Sequence, residues 1–317
     1  MRTLSRLVAL AFATALLPAA ALGEPPALVA TWPACCRPTG IAFDRSGRAL
    51  VAEYSPSHID VFAPDGLLAS QWGSDGQDPG SVTGPGYVAI DNLDHLFVTE
   101  QVHNYQQSGV QEFTTDGTFV ASIGSLWVPG TPLSGPGVFF EASGIAVDGG
   151  GRVYVTDVGI PRTQVFSNDR AYLYEWASQG NSIALDDFGH AFEVEEGGVV
   201  RKYTTEGIEL AHWGNPGSGP GQFDQPHGIA VDHSGNVYVA DTYNHRVQVF
   251  TSDGAFLMQW GSYGSAPGQF YRPMGVEVGT DGRIYVADTW NARIQIFGPL
   301  ATPTVPSSWG RLKRIYR

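Results

Sequence analysis

Acidic side chains recur at one position of a repeating pattern, each at or near the end of an alternating apolar segment such as "VYVAD". The six residues are Glu53, Glu100, Asp157, Glu195, Asp241 and Asp288. Converging carboxylates bind cations, so one interpretation is an acidic ring that holds Ca²⁺ or Zn²⁺. The alternative is structural: each carboxylate accepts backbone N–H bonds in a turn and pairs with an arginine. Arg246 and Arg293 would then be the partners of Asp241 and Asp288.

Aromatic, histidine and arginine residues close to these carboxylates are candidates for ligand binding. The candidates are His227, Tyr243, Trp290, Tyr54 and Arg272. Exposed rings above an acidic rim would suit a peptide or a glycan. His227 lies in "QPHG", but the corresponding positions of the other repeats hold no histidine. A catalytic zinc site needs about three protein ligands, so a single histidine does not by itself indicate an enzyme.

These residues belong to a chain that repeats itself six times. "GIAVDHSGNVYVADTYNHRVQVF" (228–250) matches "GVEVGTDGRIYVADTWNARIQIF" (275–297) closely and "GIAVDGGGRVYVTDVGIPRTQVF" (144–166) well. The position of the first aspartate in the repeat is occupied by Asp44, Asp91, Asp148, Asp186, Asp232 and Gly279. A period of roughly 45 residues with several short strands per unit predicts a β-propeller.

Each repeat predicts four strands, and the ends of the chain predict how the ring closes. The first three strands are typified by "GIAVD", "VYVAD" and "RVQVF", and the fourth by "AFLMQWG". The tryptophans that recur in the fourth strand indicate packing between neighbouring blades: Trp72, Trp176, Trp213 and Trp260. The sixth repeat lacks a fourth strand, and "ALVATWP" (27–33) stands alone before the first repeat. We therefore expect an all-β, six-bladed β-propeller of four-stranded blades over 24–297, closed by an N-terminal strand that completes the last blade.

The composition agrees with many short strands and excludes some classes of partner. Of 317 residues, 40 are glycine and 21 are proline, whereas 15% are charged. This mixture is typical of strands joined by tight turns. The net charge of −13 opposes binding of a phosphate backbone, so we expect no nucleic-acid partner. The two cysteines, Cys35 and Cys36, are adjacent and could be a vicinal disulfide or two thiols.

The ends and one long connection carry further expectations. Residues 1–23 have a basic start, an apolar run and small closing residues, which predicts a signal peptide and a secreted, periplasmic or extracellular protein. Residues 298–317 form a Pro-rich linker and a basic tail. The Gly- and Pro-rich connection 124–143 is a candidate specificity element. We expect a monomer without a transmembrane segment.

The repeats resemble NHL repeats. The resemblance rests on "PHGIAVDHSGNVYVADTYNHRVQVF" and "PMGVEVGTDGRIYVADTWNARIQIF", which share the core "VADT-x-N-x-R-[VI]-Q". The other four copies keep the strand pattern but lose parts of the Asn-x-Arg portion. Relatives include extracellular lyases that cleave peptidyl-hydroxyglycine with a zinc held by histidines from several blades, sensor domains of bacterial membrane kinases, and RNA- or protein-binding domains.

Two functions follow from the resemblance and the residues together. The first is a secreted, bacterial-type scaffold that binds a protein, a peptide or a glycan through the loops at the channel mouth, without catalysis. The alternative is a metal-dependent lyase or hydrolase that resembles peptidyl-hydroxyglycine amidating lyases or lactonase propellers. A fold supports many activities, so the site has to decide between them.

Overall fold

The chain folds into a ring of six four-stranded antiparallel sheets, as the sequence predicts. The computed structural model describes residues 24–76, 78–100, 109–126 and 135–300. The predicted signal peptide, the tail beyond residue 300 and the centre of the 124–143 connection lie outside the described residues. Within the described part of the chain, helical structure is confined to two 3₁₀ turns, Thr242–Asn244 and Thr289–Asn291. In those same ranges we find no helix with the length and apolar character needed to cross a membrane.

Each blade is an antiparallel meander whose strands run in chain order from the channel to the rim. The strands are Pro38–Phe43, Ala49–Glu53, His58–Phe62 and Leu68–Trp72 in blade 1; Pro85–Ile90, His95–Glu100, Val110–Thr114 and Phe119–Ile123 in blade 2; Ala142–Val147, Val153–Asp157, Arg162–Phe166 and Tyr172–Ala177 in blade 3; Ser182–Leu185, His190–Glu195, Val199–Thr204 and Glu209–Trp213 in blade 4; Ile229–Val231, Val237–Asp241, Arg246–Phe250 and Phe256–Trp260 in blade 5; and Gly275–Val278, Ile284–Asp288 and Arg293–Phe297 in blade 6.

The N-terminal strand closes the ring. Leu28–Pro33 pairs antiparallel with Arg293–Phe297, the last strand of blade 6, with Trp32 opposite Ile294. This confirms the expectation drawn from the unpaired "ALVATWP" segment. Closure leaves no blade incomplete and covers an edge that would otherwise present free N–H and C=O groups.

Aromatic side chains join neighbouring blades. Trp72 of blade 1 contacts Phe113 of blade 2, with ring centroids 5.0 Å apart, and Trp213 of blade 4 packs on Phe250 of blade 5 at 6.0 Å. Trp32 of the closing strand makes the same kind of contact with Phe62 of blade 1, at 5.4 Å. The predicted role of the recurring tryptophan is confirmed for these blades, and it explains why the closing strand also carries one.

The first strands of the six blades line a channel with mostly aliphatic side chains. At the face formed by the turns between first and second strands, a cavity of about 310 Å³ is bounded by residues such as Ala42, Ile90 and Leu185. Near the other end the strands approach closely, and a Cβ on Gly144 would lie 2.5 Å from the Ser182 Cα. Tyr87 has a side chain at the corresponding place of blade 2. It therefore narrows the channel near the face that lies opposite this cavity.

Two connections between blades contain short parallel pairs. Ser125–Leu126 pairs with Val138–Phe139 before blade 3, and Asn215–Pro216 pairs with Gln222–Phe223 before blade 5. These pairs tie each connection down on the face that carries the loops between second and third strands. We call this face the mouth face. A functional site assembled there is therefore built on anchored loops.

Candidate ligand site at the channel mouth

The 3₁₀ turn of blade 5 shows how the motif "ADTYNHR" places a side chain on the mouth face. Asp241 is fully buried, and its carboxylate accepts hydrogen bonds from Asn244 Nδ2 at 3.0 Å, Arg246 Nε at 2.7 Å and Gln248 Nε2 at 2.9 Å. The Asp241–Arg246 pair predicted from the sequence is thus confirmed. These bonds fix the turn from both ends, so its central residue, Tyr243, points away from the blade and is 39% exposed.

Blade 6 repeats this turn with a tryptophan at its tip. Asp288 accepts hydrogen bonds from Asn291 Nδ2 at 2.9 Å and Arg293 Nε at 2.7 Å, which confirms the second predicted pair. The buried Thr289 hydroxyl donates to the Pro38 carbonyl of blade 1 at 2.7 Å and so links the turn to the next blade. Trp290 at the tip is 43% exposed. The polar residues that the two turns share are structural, and the tip residue, in which they differ, is free to contact a ligand.

Two arginines lie against the ring of Trp290. Arg272 Cζ is 5.0 Å from the ring centroid of Trp290 and 4.4 Å from that of Tyr243. Arg37 Cζ is 4.7 Å from the centroid of Trp290. The two arginines occupy the same place in consecutive blades, in "RPTG" and "RPMG". Neither forms a salt bridge within the described ranges, so both guanidinium groups keep donors available for an anion.

A cavity of about 220 Å³ opens beside this cluster, between blades 6, 1 and 2. It is lined by Arg37, Thr39, Tyr54, Gly86, Tyr87, Met274, Thr289 and Trp290. Its walls are mostly aromatic and apolar, with one cationic side chain at the edge. The structure therefore brings together four of the five sequence candidates. The Arg272 guanidinium lies against the rings of Tyr243 and Trp290, and Tyr54 lines the same cavity as Trp290.

Further rings extend the cluster towards blade 5. Tyr271 lies 5.6 Å from Trp290 and 5.3 Å from Tyr263, measured between ring centroids. The Arg272 backbone N–H donates to His245 Nδ1 at 3.1 Å, which fixes the orientation of that imidazole. Burial and the nearby Arg272 charge lower the pKa of His245, so at neutral pH it adds an uncharged ring to the cluster.

His227, the fifth candidate, lies on the mouth face beside the blade 5 turn. Its Nδ1 is 3.0 Å from the Gln225 carbonyl and 3.2 Å from the Thr242 hydroxyl. Burial lowers its pKa, which favours the neutral imidazole at neutral pH. The corresponding positions of the other blades are Thr39, Gly86, Ser143, Asn181 and Met274. Of this ring of six, His227 alone has a side chain that readily ligates zinc.

The six carboxylates lie inside their own blades, at the ends of the second strands. None of them lines the mouth cavity or the channel cavities found among the described residues. Asp157 accepts bonds from the backbone N–H groups of Phe140 and Glu141, and Glu100 from that of Thr83. Burial raises the pKa of all three of Glu100, Asp157 and Asp241, while these hydrogen bonds oppose the rise. Cation binding by the six as one ring stays a prediction.

Glu53 differs from the other five carboxylates. It is fully buried, and neither of its oxygens has a hydrogen-bond partner among the described residues. Burial raises its pKa to about 8, and the nearby Asp60 adds to the rise. The backbone N–H groups of Cys36 and Arg37 lie close enough to the carboxylate to lower its pKa, but neither has the geometry of a hydrogen bond to it. Blade 1 therefore has a buried acid that its own polar groups do not satisfy.

Several residues of the mouth site were not predicted. Arg37, Met274 and Tyr271 reach the cluster from the connections before blades 1 and 6, and Tyr87 reaches it from the first strand of blade 2. The signal for Arg37 was present, because "RPTG" and "RPMG" place an arginine three residues before the first-strand glycine of both blades. Its contact with Trp290 depends on ring closure, which brings blade 1 next to blade 6.

Comparison with known proteins supports the repeat assignment. The NHL repeat family matches residues 223–250 and 270–297. Peptidyl-glycine alpha-amidating monooxygenase of Mus musculus is 29% identical over 206 residues, which cover 54% of this chain and 20% of the mouse protein. Protein brain tumor of Drosophila melanogaster is 26% identical over 140 residues, 44% of this chain and 12% of that protein. The chain thus spans a fifth or less of the length of these relatives.

Solved structures share the fold at low sequence identity. A gluconolactonase from Xanthomonas campestris has a TM-score of 0.63 and 14% identity, covering 88% of this chain and 98% of its own. A streptogramin B lyase has a TM-score of 0.57 and 14% identity, covering 85% and 96%. At this level of identity the similarity concerns the propeller architecture, and the chemistry has to be argued from the residues at the mouth.

Proposed function

This chain is an NHL-repeat β-propeller, and we propose that it binds, without catalysis, an acidic segment of a protein or peptide at the channel mouth. The observation that carries the proposal is the ring of Trp290 with Arg37 and Arg272 stacked against it beside an apolar cavity. Rings stacked on guanidinium groups leave the edges of the arginine planes free to donate to a carboxylate.

The charge distribution supports an anionic ligand. The chain carries a net charge of −13, yet the two arginines at the mouth lack ion pairs within the described ranges. The strand-end carboxylates are turned into the blades, and the charged side chains in contact with the Trp290 ring are Arg37 and Arg272. A ligand carboxylate would gain charge-assisted hydrogen bonds at this place, whereas the acidic remainder of the surface would repel it.

The size and lining of the cavity support a peptide side chain over a glycan. A volume of about 220 Å³ is below that of most cavities for drug-sized molecules and suits one amino-acid side chain. The lining by Met274, Tyr54 and Tyr87 favours an apolar or aromatic group. We therefore propose a ligand that offers an apolar side chain next to a carboxylate.

A fluorescence titration tests this proposal. Blocked peptides that carry Asp or Glu beside Phe or Leu should change the emission of Trp290 in a saturable way, and Asn or Gln counterparts should bind at least tenfold more weakly. A neutral oligosaccharide and an oligouronate of similar length test the glycan alternative. Equal binding of acidic and amide peptides, or tighter binding of the oligosaccharide, would contradict the proposal. The Trp290→Phe variant identifies the part of the signal that comes from the site.

A metal-dependent lyase is a second candidate, which the similarity to the amidating monooxygenase and the position of His227 favour. Zinc catalysis would need about two further protein ligands beside His227. The corresponding residues of the other blades do not supply them, so binding is the better-supported function. Release of product from a peptidyl-hydroxyglycine probe, lost in His227→Asn, would favour the lyase.

Export of the mature chain as a monomer is part of the proposal. It rests on the composition of residues 1–23, which resembles a signal peptide. Fractionation of cells that express the full chain tests the location, and N-terminal sequencing of the product tests the cleavage. Light scattering of the purified protein tests the monomeric state.

A further inference from the structure

The mouth-side corner of blade 1 holds a different set of side chains from the same corner of blade 5. Counting from the phenylalanine at the end of the third strand, "EYSPSHIDVF" aligns with "DTYNHRVQVF" without a gap. Glu53 thus takes the place of Asp241. Two further exchanges follow from the alignment: His58 stands where blade 5 has Arg246, and Asp60 stands where it has Gln248.

This exchange removes the buried cation and adds an acid. In blade 5 the guanidinium of Arg246 bonds the Asp241 carboxylate and the carbonyls of Ser218 and Gly219 in the preceding loop. Blade 1 has two carboxylates at this corner and no arginine in the corresponding place. Two buried carboxylates without a compensating cation are costly unless they are protonated or bind one.

Two thiols from the preceding connection complete the cluster. Cys35 and Cys36 are free cysteines, with their sulfur atoms 2.6 Å apart. Ligand atoms of Cys35, Cys36 and Glu53 lie within 4.8 Å of one another, and so do those of Cys35, His58 and Asp60. The two groups share only the Cys35 sulfur, so a fourth ligand, Glu53 or Cys36, would have to move closer to the Cys35, His58 and Asp60 set.

Unsatisfied buried oxygens point to a missing partner. Glu53 is fully buried and Asp60 is 1% exposed. Both oxygens of Glu53 and Oδ2 of Asp60 lack hydrogen-bond partners within the described residues. The other oxygen of Asp60 accepts a bond from Gln71 Nε2 at 2.6 Å. Buried polar atoms in native proteins nearly always have partners, so these three oxygens call for an explanation.

The imidazole of His58 is oriented as metal-binding histidines are. Its Nδ1 lies 2.8 Å from the Pro56 carbonyl, which can only accept, so Nδ1 carries a proton. Its Nε2 faces Asp60 Oδ1 at 3.0 Å and Cys35 Sγ at 3.4 Å. Gln71 Nε2 is also 3.4 Å from Nε2, so a proton from the thiol, the amide or the acid, or a metal ion, satisfies this nitrogen. A backbone carbonyl that holds the other ring nitrogen is the usual second contact of a metal-bound histidine.

We propose that blade 1 binds one borderline-soft divalent cation of the Zn²⁺ class through Cys35, His58 and Asp60, with Glu53 or Cys36 as the fourth ligand. The ion would take the position that the Arg246 guanidinium has in blade 5. The site is separate from the mouth ligand site and from the channel.

The chemistry and spacing of the ligands support this class of ion. Thiolate and imidazole favour Zn²⁺ over Ca²⁺ or Mg²⁺, which prefer oxygen ligands alone. Bonds of about 2.0–2.3 Å in a tetrahedral zinc site place neighbouring ligand atoms roughly 3.5 Å apart. The 3.4 Å between Cys35 Sγ and His58 Nε2 meets this requirement, whereas the 3.0 Å between His58 Nε2 and Asp60 Oδ1 and the 2.6 Å between the two sulfur atoms would have to lengthen on binding.

A path from solvent reaches the cluster. A surface cavity of about 490 Å³ is lined by Cys35, Pro56, Ser57, His58, Gln71, Trp72, Gly73, Ser74 and Asp75. Cys35 is exposed, whereas Glu53 and Asp60 lie beneath it. An ion can therefore enter from the side of the thiols, which release their protons to solvent on binding.

Titration of the reduced full chain with Co²⁺ tests the site, because Co²⁺ reports tetrahedral thiolate coordination by its absorption. We expect one Co²⁺ per chain with a sulfur-to-cobalt charge-transfer band, and displacement by one equivalent of Zn²⁺. Cys35→Ser should lose that band and bind at least tenfold more weakly. His227→Asn should keep both, since His227 is not a ligand of this site.

A second variant separates loss of the site from loss of the fold. The triple substitution Glu53→Asp, His58→Arg and Asp60→Gln installs the blade 5 residues in blade 1. It should keep the β-sheet circular dichroism of the wild type and bind no Co²⁺, because a guanidinium replaces the ion.

Three results would overturn the proposal. The first is a reduced wild type that binds no more Co²⁺ than Cys35→Ser, as would follow if Glu53 and Asp60 stay protonated and the two cysteines stay thiols. The second is a band that disappears in His227→Asn. The third is a triple variant that still binds the metal at the wild-type affinity.

Discussion

Blades 1 and 5 build the same corner of the propeller in opposite ways. In blade 5 the carboxylate of Asp241 is neutralised by Arg246 and held by two amide side chains. In blade 1 the corresponding Glu53 lacks hydrogen-bond partners within the described ranges, and Asp60 adds a second acid. The comparison teaches that the Asp, Asn, Arg and Gln of the NHL signature form a charge-balanced joint. In blade 1, where histidine replaces the arginine, the buried carboxylates lack that balancing guanidinium.

We expect the largest change in stability when the arginine that balances Asp241 in blade 5 is removed. Removal of the guanidinium in Arg246→Ala leaves the buried Asp241 without its cation and several loop carbonyls without donors. We expect a loss of about 3–5 kcal/mol in the free energy of unfolding, measured by urea denaturation. The pair of Arg45 and Asp94 provides a control, because it lies at the surface and Arg45→Ala should change the midpoint little. Similar losses in both variants would show that the corner has no special role.

Glu193 offers a second test of how the propeller holds a buried acid, because its protonation changes with pH. Glu193 of blade 4 is fully buried, accepts a bond from the Thr163 hydroxyl at 2.6 Å, and has its pKa raised to about 7 by burial. The folded state therefore holds this proton to higher pH than the unfolded state. The free energy of unfolding should fall as pH rises from about 4.5 to 7, by roughly 1.4 kcal/mol per pH unit at most.

The variant Glu193→Gln has no proton to lose and should show a flatter profile over this range. Urea denaturation at pH 5 and pH 8 measures both proteins. If the difference between the two pH values is the same in the wild type and the variant, Glu193 is not the group that titrates.

The mouth offers a comparison within one ligand site. Arg37 and Arg272 contact the same tryptophan from consecutive blades, so each should contribute to affinity for an acidic peptide. We expect Arg37→Gln and Arg272→Gln each to weaken binding about five- to tenfold, with the loss of a charge-assisted hydrogen bond worth roughly 1 kcal/mol or more. The amide counterpart of the peptide should be nearly insensitive to either change. If both peptides lose the same affinity, the arginines do not contact the ligand carboxylate.

The smallest effect is expected at the tip of the blade 6 turn. Trp290 is 43% exposed, and the turn below it is fixed by Asp288, Asn291 and Arg293. Trp290→Ala should therefore change the free energy of unfolding by less than about 1 kcal/mol. It should also abolish the change in tryptophan emission that the acidic peptide causes. A thermal melt of this variant that falls as far as that of Arg246→Ala would show that the tip residue is structural.

The sequence predicted the blades, the closing strand and the turn residues, because these features repeat with fixed spacing. Tyr243 and Trp290 were recognisable because two intact copies of the motif differ at the tip. Arg37 was missed because it contacts Trp290 only after closure has joined the first and last blades. The cation site that we propose in blade 1 was also missed. The sequence showed Cys35 and Cys36 only as a vicinal disulfide or two thiols, and the fold is what places Glu53, His58 and Asp60 near them.

The measurement that tests the function most directly is hydrogen–deuterium exchange of the full chain with and without a saturating acidic peptide. The proposed mouth site predicts slower exchange in the segments around Arg37, Arg272 and Trp290, and little change in the turns of the opposite face near Asp232. Protection confined to the opposite face, or to the channel strands without the Trp290 turn, would contradict it.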